Sequence, residues 1–263
     1  MLDPGFAIAG LVVGFAVGAT GVGGGSLMTP ALILFYGVSP AIAVGTDLFY
    51  SAISKSFAAT LLGRRNSIDW KLVGWLSIGS LPAAAASVWA TRILLPPAEL
   101  ASLIQSVLAI AIVLTAVFTL VQEPVLKRLH THTDNHEPNV RLQRGFTVAG
   151  GALIGGLVGV SSVGAGVIGM ALLMLLYPKH KTVTLIGSDL VHAVLVSGIA
   201  GAGHAAVHDV NYSMLVALVL GSIPGIWLGT RVALRFRDRA LKRSVAAILL
   251  LVGVTTLAHA AIG

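Results

Sequence analysis

Six apolar stretches, each long enough to cross a membrane, are the main feature of this 263-residue sequence. A spanning helix needs about 20 mostly apolar residues. Only 10% of the residues are charged, against about 25% in soluble domains. The sequence therefore predicts an all-α, polytopic membrane protein. The six stretches are residues 40–63, 70–95, 98–122, 182–207, 211–235 and 240–262.

Composition excludes several classes of site. The chain has no cysteine, so disulfides, thiolate metal sites and a cysteine nucleophile are ruled out. A net charge of +7 would suit nucleic acid, but the charges lie between apolar stretches, and no nucleic acid partner is expected. The apolar start of the chain carries Asp3 and no Lys or Arg before its apolar run. A secretory signal needs a basic start, so we expect these residues to remain in the mature protein.

Two further apolar segments are interrupted by glycine clusters. Residues 5–18 and 26–36 flank the cluster Thr20–Ser26, and at 1.5 Å per residue they would rise only about 21 and 16 Å as helices. Residues 145–159 and the run that ends at Tyr177 flank a second cluster at 161–166. We predict that each segment is a pair of half-helices joined by an unwound turn.

The two halves of the chain align with each other. Gly45-Thr46-Asp47-Leu48 matches Gly187-Ser188-Asp189-Leu190 after one inserted residue. We predict transmembrane repeats at 1–122 and 145–263, joined by a cytoplasmic linker at 123–144, an organisation typical of transporters. At an offset of 141, Gly14, Gly18, Val22, Gly23 and Gly25 match Gly155, Gly159, Val163, Gly164 and Gly166.

The basic residues predict the relation between the repeats. With one crossing per broken segment they fall on both faces, against the positive-inside rule. With a re-entrant hairpin and three crossings per repeat, the second repeat is inverted, and fifteen of the seventeen Lys and Arg residues share one face. That face is expected to be cytoplasmic and both termini extracytoplasmic; two full crossings per broken segment would give the same sidedness. The fifteen are Arg64, Arg65, Lys71, Lys127, Arg128, Arg141, Arg144, Lys179, Lys181, Arg231, Arg235, Arg237, Arg239, Lys242 and Arg243.

The glycine-rich and Gly-Thr-Asp segments resemble the TauE/SafE (sulfite exporter) family of membrane permeases. The matching pieces include GLVVGFAVGATGVGGGSLMTPALILFYGVSPAIAVGTDL and, in the second half, IGSDLVHAVLVSGIAGAGH. The resemblance covers the chain except the loop near 123–144. It implies a bacterial inner-membrane permease for small anions such as sulfite, sulfoacetate or thiosulfate, often moved outward.

The two glycine clusters are the first candidate solute site. Non-helical backbone at membrane depth is tolerated only where it is buried in protein or lines a wet cavity, and a half-helix N-terminus there favours an anion. The alternative is that these glycines only allow close helix packing. The predicted solute-binding residues are Thr20, Gly21, Gly23, Gly24, Gly25, Ser26, Ser161, Ser162, Gly164 and Gly166.

Polar side chains inside two spans are the second candidate. Asp47, Ser51, Ser54 and Lys55 share one helix face, and Asp189, His192, Ser197 and His204 form a looser stripe. Ionisable groups in a span are costly and usually face the bundle interior. The alternatives are a structural role for the carboxylates, and a Lys55 that either offsets the charge of an anion or snorkels to the membrane surface. We predict proton coupling by Asp47, Asp189, His192 or His204, and solute binding by Thr46, Ser188 and Lys55.

These features predict a secondary transporter that works by alternating access. A passive anion channel, an uptake permease for another organic anion and a membrane enzyme are the alternatives; the enzyme is disfavoured because no recognised catalytic spacing lies within the spans. The expected partners are a small anion, the bilayer and protons, with no cofactor. The linker residues His130, His132, Asp134, His136 and Glu137 fit no zinc spacing and are interpreted as solvated, so no metal site is expected.

Overall fold

The computed structural model describes residues 3–20, 25–63, 68–131 and 140–233 and residue 247. Every element in these ranges is an α-helix. The last predicted span, 240–262, lies outside them apart from that single residue. The helices are α1 (Pro4–Thr20), α2 (Gly25–Tyr36), α3 (Pro40–Gly63), α4 (Trp70–Leu94), α5 (Pro97–Thr131), α6 (Val140–Ser161), α7 (Val167–Leu176), α8 (Thr182–Ala206) and α9 (Tyr212–Ala233).

Five of these helices are long and apolar enough to cross a membrane, which confirms the polytopic all-α class. They are α4, α5, α6, α8 and α9. The half-helix predicted at 145–159 is too short, because α6 spans 22 residues and could cross alone. Its first turns contain Arg141 and Gln143, good helix formers that an apolar-length criterion leaves out. The predicted linker at 123–144 is likewise shortened, since α5 continues to Thr131 and α6 begins at Val140.

Both broken segments fold back on themselves. In the first hairpin, α1 and α2, the Tyr36 hydroxyl donates a hydrogen bond to the Gly5 carbonyl oxygen at 2.7 Å. In the second hairpin, α6 and α7, the hydroxyls of Tyr177 and Thr147 are 2.8 Å apart. The end of the first hairpin therefore returns to the level at which it started, and the end of the second returns to the level of Thr147, seven residues after the start of α6.

Each hairpin packs against a helix from the other half of the chain through glycine. A Cβ on Gly14 of α1 would lie 2.7 Å from the Ser222 carbonyl oxygen of α9. A Cβ on Gly155 of α6 would lie 2.1 Å from the Ser80 carbonyl oxygen of α4. Close backbone contact of this kind stabilises helix pairs in membranes, where apolar burial contributes little. Much of the glycine excess therefore serves helix packing rather than turns.

The helices α3 and α8 cross at the centre and run antiparallel. Gly45 of α3 lies against His204, and Leu48 lies against Gly201. Further along α3, the charge of Lys55 interacts with Asp189, near the beginning of α8. Residue numbers therefore rise along one helix as they fall along the other. This crossing brings Asp47 and Lys55 of α3 together with Asp189 of α8.

Apart from the buried Lys55, the described Lys and Arg residues separate into two groups at opposite ends of the helices. Because α4 and α6 pack in parallel, with Leu76 against Gly151 and Ser80 against Gly155, both start on the same side. Arg92 lies at the opposite end of α4 and pairs with Asp209 in the α8–α9 connection. We call the first end the basic side; its described basic residues are Lys71, Arg141, Arg144, Lys179, Lys181 and Arg231.

Candidate functional site

The tip of the second hairpin, residues 162–166, is an irregular turn that requires glycine. Gly164 and Gly166 both have φ near +119°, and Ser162 has φ near +60°, in regions that L side chains rarely adopt. The helix α7 begins after Gly166 without a side-chain cap. Gly169 N–H bonds the Gly164 carbonyl oxygen at 3.4 Å, so the N–H groups of Val167 and Ile168 are left for other partners. The Ser161 hydroxyl donates within its own helix to Leu157 at 2.8 Å.

Asp47 joins the two hairpins. It is fully buried on α3. Its Oδ2 accepts hydrogen bonds from the hydroxyl of Thr29 on α2 at 2.5 Å and from that of Ser162 at the second tip at 2.9 Å. Ser51, one turn along, donates to Oδ1 at 3.4 Å. A hydrogen bond from a hydroxyl to an ionised carboxylate is stronger than one between two neutral groups. The hydrogen-bonding capacity of this carboxylate is therefore well satisfied.

Lys55 lies beside the same tip. Its side chain is 4% exposed, and its ammonium group donates a hydrogen bond to the Ala165 carbonyl oxygen at 3.0 Å. The alternative that Lys55 snorkels to the membrane surface is therefore wrong. Its charge interacts with both Asp189 and Asp47. A cation, two carboxylates and the N-terminus of α7 thus share one buried region.

Asp189 accepts fewer hydrogen bonds than Asp47 among the described residues. It is 5% exposed, and its Oδ1 has no hydrogen-bond partner among the described residues. A Cβ built on Gly169 of α7 would lie 2.1 Å from that oxygen, so the carboxylate lies directly on the α7 backbone. The glycine at this position makes room for the carboxylate.

His192 bonds across to α4. Its Nε2 is 2.7 Å from the Ser80 hydroxyl, and the side chain is fully buried. By the internal alignment Tyr50 occupies the matching position in the first half, close to Ser222, which matches Ser80. The pair His192–Ser80 in one half of the chain is therefore equivalent to the pair Tyr50–Ser222 in the other.

His204 belongs to a separate group of contacts. Its Nε2 donates to the Gly159 carbonyl oxygen at 2.9 Å, and its Nδ1 is 3.6 Å from Asp209 Oδ2. Arg92 donates to the same carboxylate from Nε at 3.0 Å. Neither Asp209 nor Thr29 was among the predicted site residues. Arg92 is one of the two basic residues outside the fifteen that share the predicted cytoplasmic face, but nothing local in the sequence identifies its partner.

Comparison with known proteins identifies the family. The profile described as Sulfite exporter TauE/SafE matches residues 6–256. The chain is 35% identical over 248 residues to the Probable membrane transporter protein YjnA of Bacillus subtilis (strain 168), covering 93% of this chain and 96% of the relative. The chain belongs to the TauE/SafE sulfite exporter family. It is a multi-pass membrane protein of a transporter family, as the sequence motifs predicted.

Two more distant TauE/SafE-like relatives carry similar descriptions. A Probable membrane transporter protein of Xylella fastidiosa (strain 9a5c) is 27% identical over 237 residues, covering 86% of this chain and 83% of the relative. The Probable membrane transporter protein YunE of Bacillus subtilis (strain 168) is 23% identical over 266 residues, with 94% of each chain covered. No solved structure matches. The names point to transport rather than catalysis.

Thr46 and Ser188 occupy matching positions in this TauE/SafE protein and make matching contacts. The Thr46 hydroxyl accepts a hydrogen bond from the Asn211 backbone N–H at 3.0 Å. The Ser188 hydroxyl accepts one from the Asp69 backbone N–H at 2.8 Å. Asp69 caps the start of α4, and Asn211 bonds the start of α9. Both hydroxyls therefore anchor a helix start from the other half of the chain.

The first glycine cluster is described only at its borders. Thr20 is the last residue of α1, and Gly25 and Ser26 are the first two of α2; of their side chains the structure describes nothing. Gly21, Gly23 and Gly24 lie outside the described residues, as do linker residues 132–139. Their part in solute binding stays a prediction.

Proposed function

We propose that this TauE/SafE protein exports small sulfur-containing anions, such as sulfite, sulfoacetate or thiosulfate, together with protons and by alternating access. The family description names both sulfite and export, which supports the solute class and the direction. The buried cation and hydroxyls described above support a small oxyanion as the solute.

The contact between Lys55 and Ala165 carries this proposal. The ammonium group lies 3.0 Å from the carbonyl oxygen one residue before the α7 N-cap Gly166. A helix N-terminus bears partial positive charge from its aligned peptide dipoles, so a second positive group beside it needs a negative partner. Asp47 supplies one negative charge to Lys55, but its oxygens are already engaged by three hydroxyls. A bound oxyanion would be held by Lys55 and the free N–H groups at the start of α7.

The architecture that we propose is two inverted repeats. The antiparallel crossing of α3 and α8, which the internal alignment makes equivalent, supports it. So do the equivalent pairs Gly14 with Ser222 and Gly155 with Ser80. The gathering of the described basic residues at one end supports a cytoplasmic basic side under the positive-inside rule, with both termini extracytoplasmic in a bacterial inner membrane.

Asp47 provides a means of alternating access. Its carboxylate bonds Thr29 on the first hairpin and Ser162 on the second at the same time. Separation of the two hairpins therefore breaks one of these bonds, and approach restores it. We propose that movement of one hairpin against the other exposes the Lys55 region alternately to the two sides.

Counterflow in proteoliposomes tests the proposal. Liposomes containing the purified protein and loaded with unlabelled sulfite are placed in labelled sulfite, and label uptake is followed. A carrier concentrates label transiently, because the outward flow of unlabelled anion drives exchange. Faster uptake into preloaded than into empty liposomes supports alternating access.

Two other outcomes would count against the proposal. Label that equilibrates at the same rate in preloaded and empty liposomes would indicate an open channel. Absence of saturable uptake of every tested sulfur anion would reject the proposal. Lys71→Met, at an exposed position on the basic side, is the control variant.

A further inference from the structure

The two equivalent carboxylates Asp47 and Asp189 have opposite surroundings. Asp47 accepts three hydroxyl hydrogen bonds, from Thr29, Ser51 and Ser162. Asp189 is almost as buried, but its Oδ1 accepts none within the described part of the chain. A buried carboxylate without donors is costly when ionised and much less so when it holds a proton.

The internal alignment explains this difference. The positions that match the three donors hold other residues. In the second half, Met170 matches Thr29 and Ala193 matches Ser51; in the first half, Gly21 matches Ser162. None of these three residues has a side-chain hydrogen-bond donor. The difference in hydrogen-bond donors between the two carboxylates therefore follows from the residue types at all three donor positions and does not depend on a single rotamer.

Charge balance gives the asymmetry a function. With both carboxylates ionised, Asp47, Asp189 and Lys55 sum to one negative charge, which repels an anion. One proton on a carboxylate makes the sum zero and frees Lys55 to interact with the anion. The proton and the anion therefore favour each other's binding, as coupled sites must.

We propose that Asp189 is the residue that carries the coupling proton, while Asp47 stays ionised as the counter-ion of Lys55. This rests on the proposed anion transport. In the loaded state Asp189–COO⁻ has taken up one proton to become Asp189–COOH, and the proton leaves with the anion. For a monovalent anion the movement is electroneutral and is driven by the combined concentration gradients of the anion and the proton.

The groups that face Asp189 are few. From α3 the charge of Lys55 interacts with Asp189, and it interacts with Asp47 as well. On α8 itself His192 lies three residues on, bonded to Ser80 of α4, and Asp69 of α4 bonds the neighbouring Ser188. From α7 it meets the backbone at Gly169. Protonation of Asp189 therefore changes the electrostatic surroundings of Lys55 more than those of any other charged group in this set.

Proteoliposome exchange with a trapped pH dye tests the assignment. Thiosulfate is the solute here because it is fully ionised near neutral pH, whereas sulfite exchanges protons with water in this range whatever the protein does. Wild-type export down a thiosulfate gradient should alkalinise the lumen as protons leave with the anion, and exchange should fall as pH rises, by about tenfold per unit once Asp189 titrates. Asp189→Asn mimics the protonated form, so its exchange should no longer depend on pH and its export should move no protons. The inference would be overturned if export by Asp189→Asn still carried protons. It would also be overturned if Asp47→Asn lost proton movement while Asp189→Asn kept it.

A second measurement uses the wild-type protein and does not depend on a folded variant. Dicyclohexylcarbodiimide reacts with protonated carboxyls in apolar surroundings, and peptide mass spectrometry locates the adduct. We expect modification at Asp189 that is stronger at acidic pH, with Asp47 unmodified. Adduct on Asp47 and none on Asp189 would contradict the assignment. Absence of anion exchange in the wild type would instead contradict the proposed function, so the two failures are distinguishable.

Discussion

The Lys55 ammonium group and the Ala165 carbonyl oxygen, 110 residues apart in the chain, are 3.0 Å apart in the structure. The contact fixes a helix of the first half to the irregular tip of the second hairpin. It places a buried cation at the beginning of α7, where the helix has no side-chain cap. An anion in transit would therefore meet a site assembled from both halves of the chain.

Replacing Lys55 with methionine should abolish most anion transport. Methionine keeps nearly the same length and apolar stem but removes the charge that offsets Asp47 and Asp189. We expect initial exchange rates to fall at least about tenfold, equivalent to about 1.4 kcal/mol of lost stabilisation. Lys55→Arg should retain less activity than wild type, because a planar guanidinium does not replace an ammonium group in a confined site. Wild-type exchange in Lys55→Met, measured on equal amounts of reconstituted protein, would remove Lys55 from the site.

Removing the hydroxyl donors of Asp47 should destabilise the protein. Thr29→Val and Ser162→Ala each leave the buried carboxylate short of one hydrogen bond, at a cost of about 1–3 kcal/mol. The measurement is the thermal unfolding midpoint in detergent. Ser56→Ala is the matched control, because that hydroxyl donates only to Ala52 within its own helix. Equal midpoints for all three variants would contradict the bonding described at Asp47.

The helices could largely be predicted from the sequence, because length, apolar content and proline determine them locally. The helix expected at 40–63 coincides with α3, whose first residue is Pro40, although α3 is not among the five helices that are apolar enough to cross a membrane. The expected half-helix at 145–159 was too short, since counting only apolar residues omits the charged first turns of a helix that begins at the membrane surface. Arg144, for example, lies over the ring of Trp75 on α4, where its charge does not interrupt the helix.

The sequence indicated the buried ionisable residues and the glycine-rich tip with Ser162, which the structure brings together. Asp47, Lys55 and Asp189 are conspicuous within apolar stretches, so the cost of burying them identified them. Their partners Thr29 and Ala165 lie in other segments, and only the tertiary fold brings them close. Thr46 and Ser188 illustrate the reverse case, since their hydroxyls bond helix starts, a use that the sequence motif does not reveal.

Single cysteines should react on opposite sides of the membrane at Glu99 and Lys179. Both positions are exposed, and the native chain has no cysteine to interfere. Glu99 follows Arg92 at the far end of α4, and Lys179 lies on the basic side. In intact cells an impermeant maleimide should label Glu99→Cys, and should label Lys179→Cys only after the membrane is opened. Equal labelling of both in intact cells would contradict the inverted arrangement.

Thr46→Val and Ser188→Ala should weaken folding and leave solute affinity unchanged. Each removes an acceptor for a backbone N–H at the start of a helix, Asn211 or Asp69, and such a loss costs about 0.5–2 kcal/mol. The unfolding midpoint and the concentration of sulfite that half-saturates exchange are measured on the same preparations. A lower midpoint with unchanged half-saturation supports an anchoring role. A weaker half-saturation at an unchanged midpoint would instead support the sequence-based assignment to solute binding.

Gly155→Ala and Gly156→Ala should differ sharply although the residues are adjacent. A Cβ at Gly155 would meet the Ser80 carbonyl oxygen at 2.1 Å, whereas one at Gly156 meets nothing within 4 Å. The first methyl group must separate α4 from α6, and overpacking of this kind costs about 1–3 kcal/mol. The second should be neutral or slightly stabilising, because alanine has a higher helix propensity. Thermal unfolding in detergent gives the comparison, and Gly14→Ala at the equivalent contact with Ser222 should behave like Gly155→Ala. If both α6 variants unfolded at the same temperature, glycine could not be what sets the spacing between the hairpins and their partner helices.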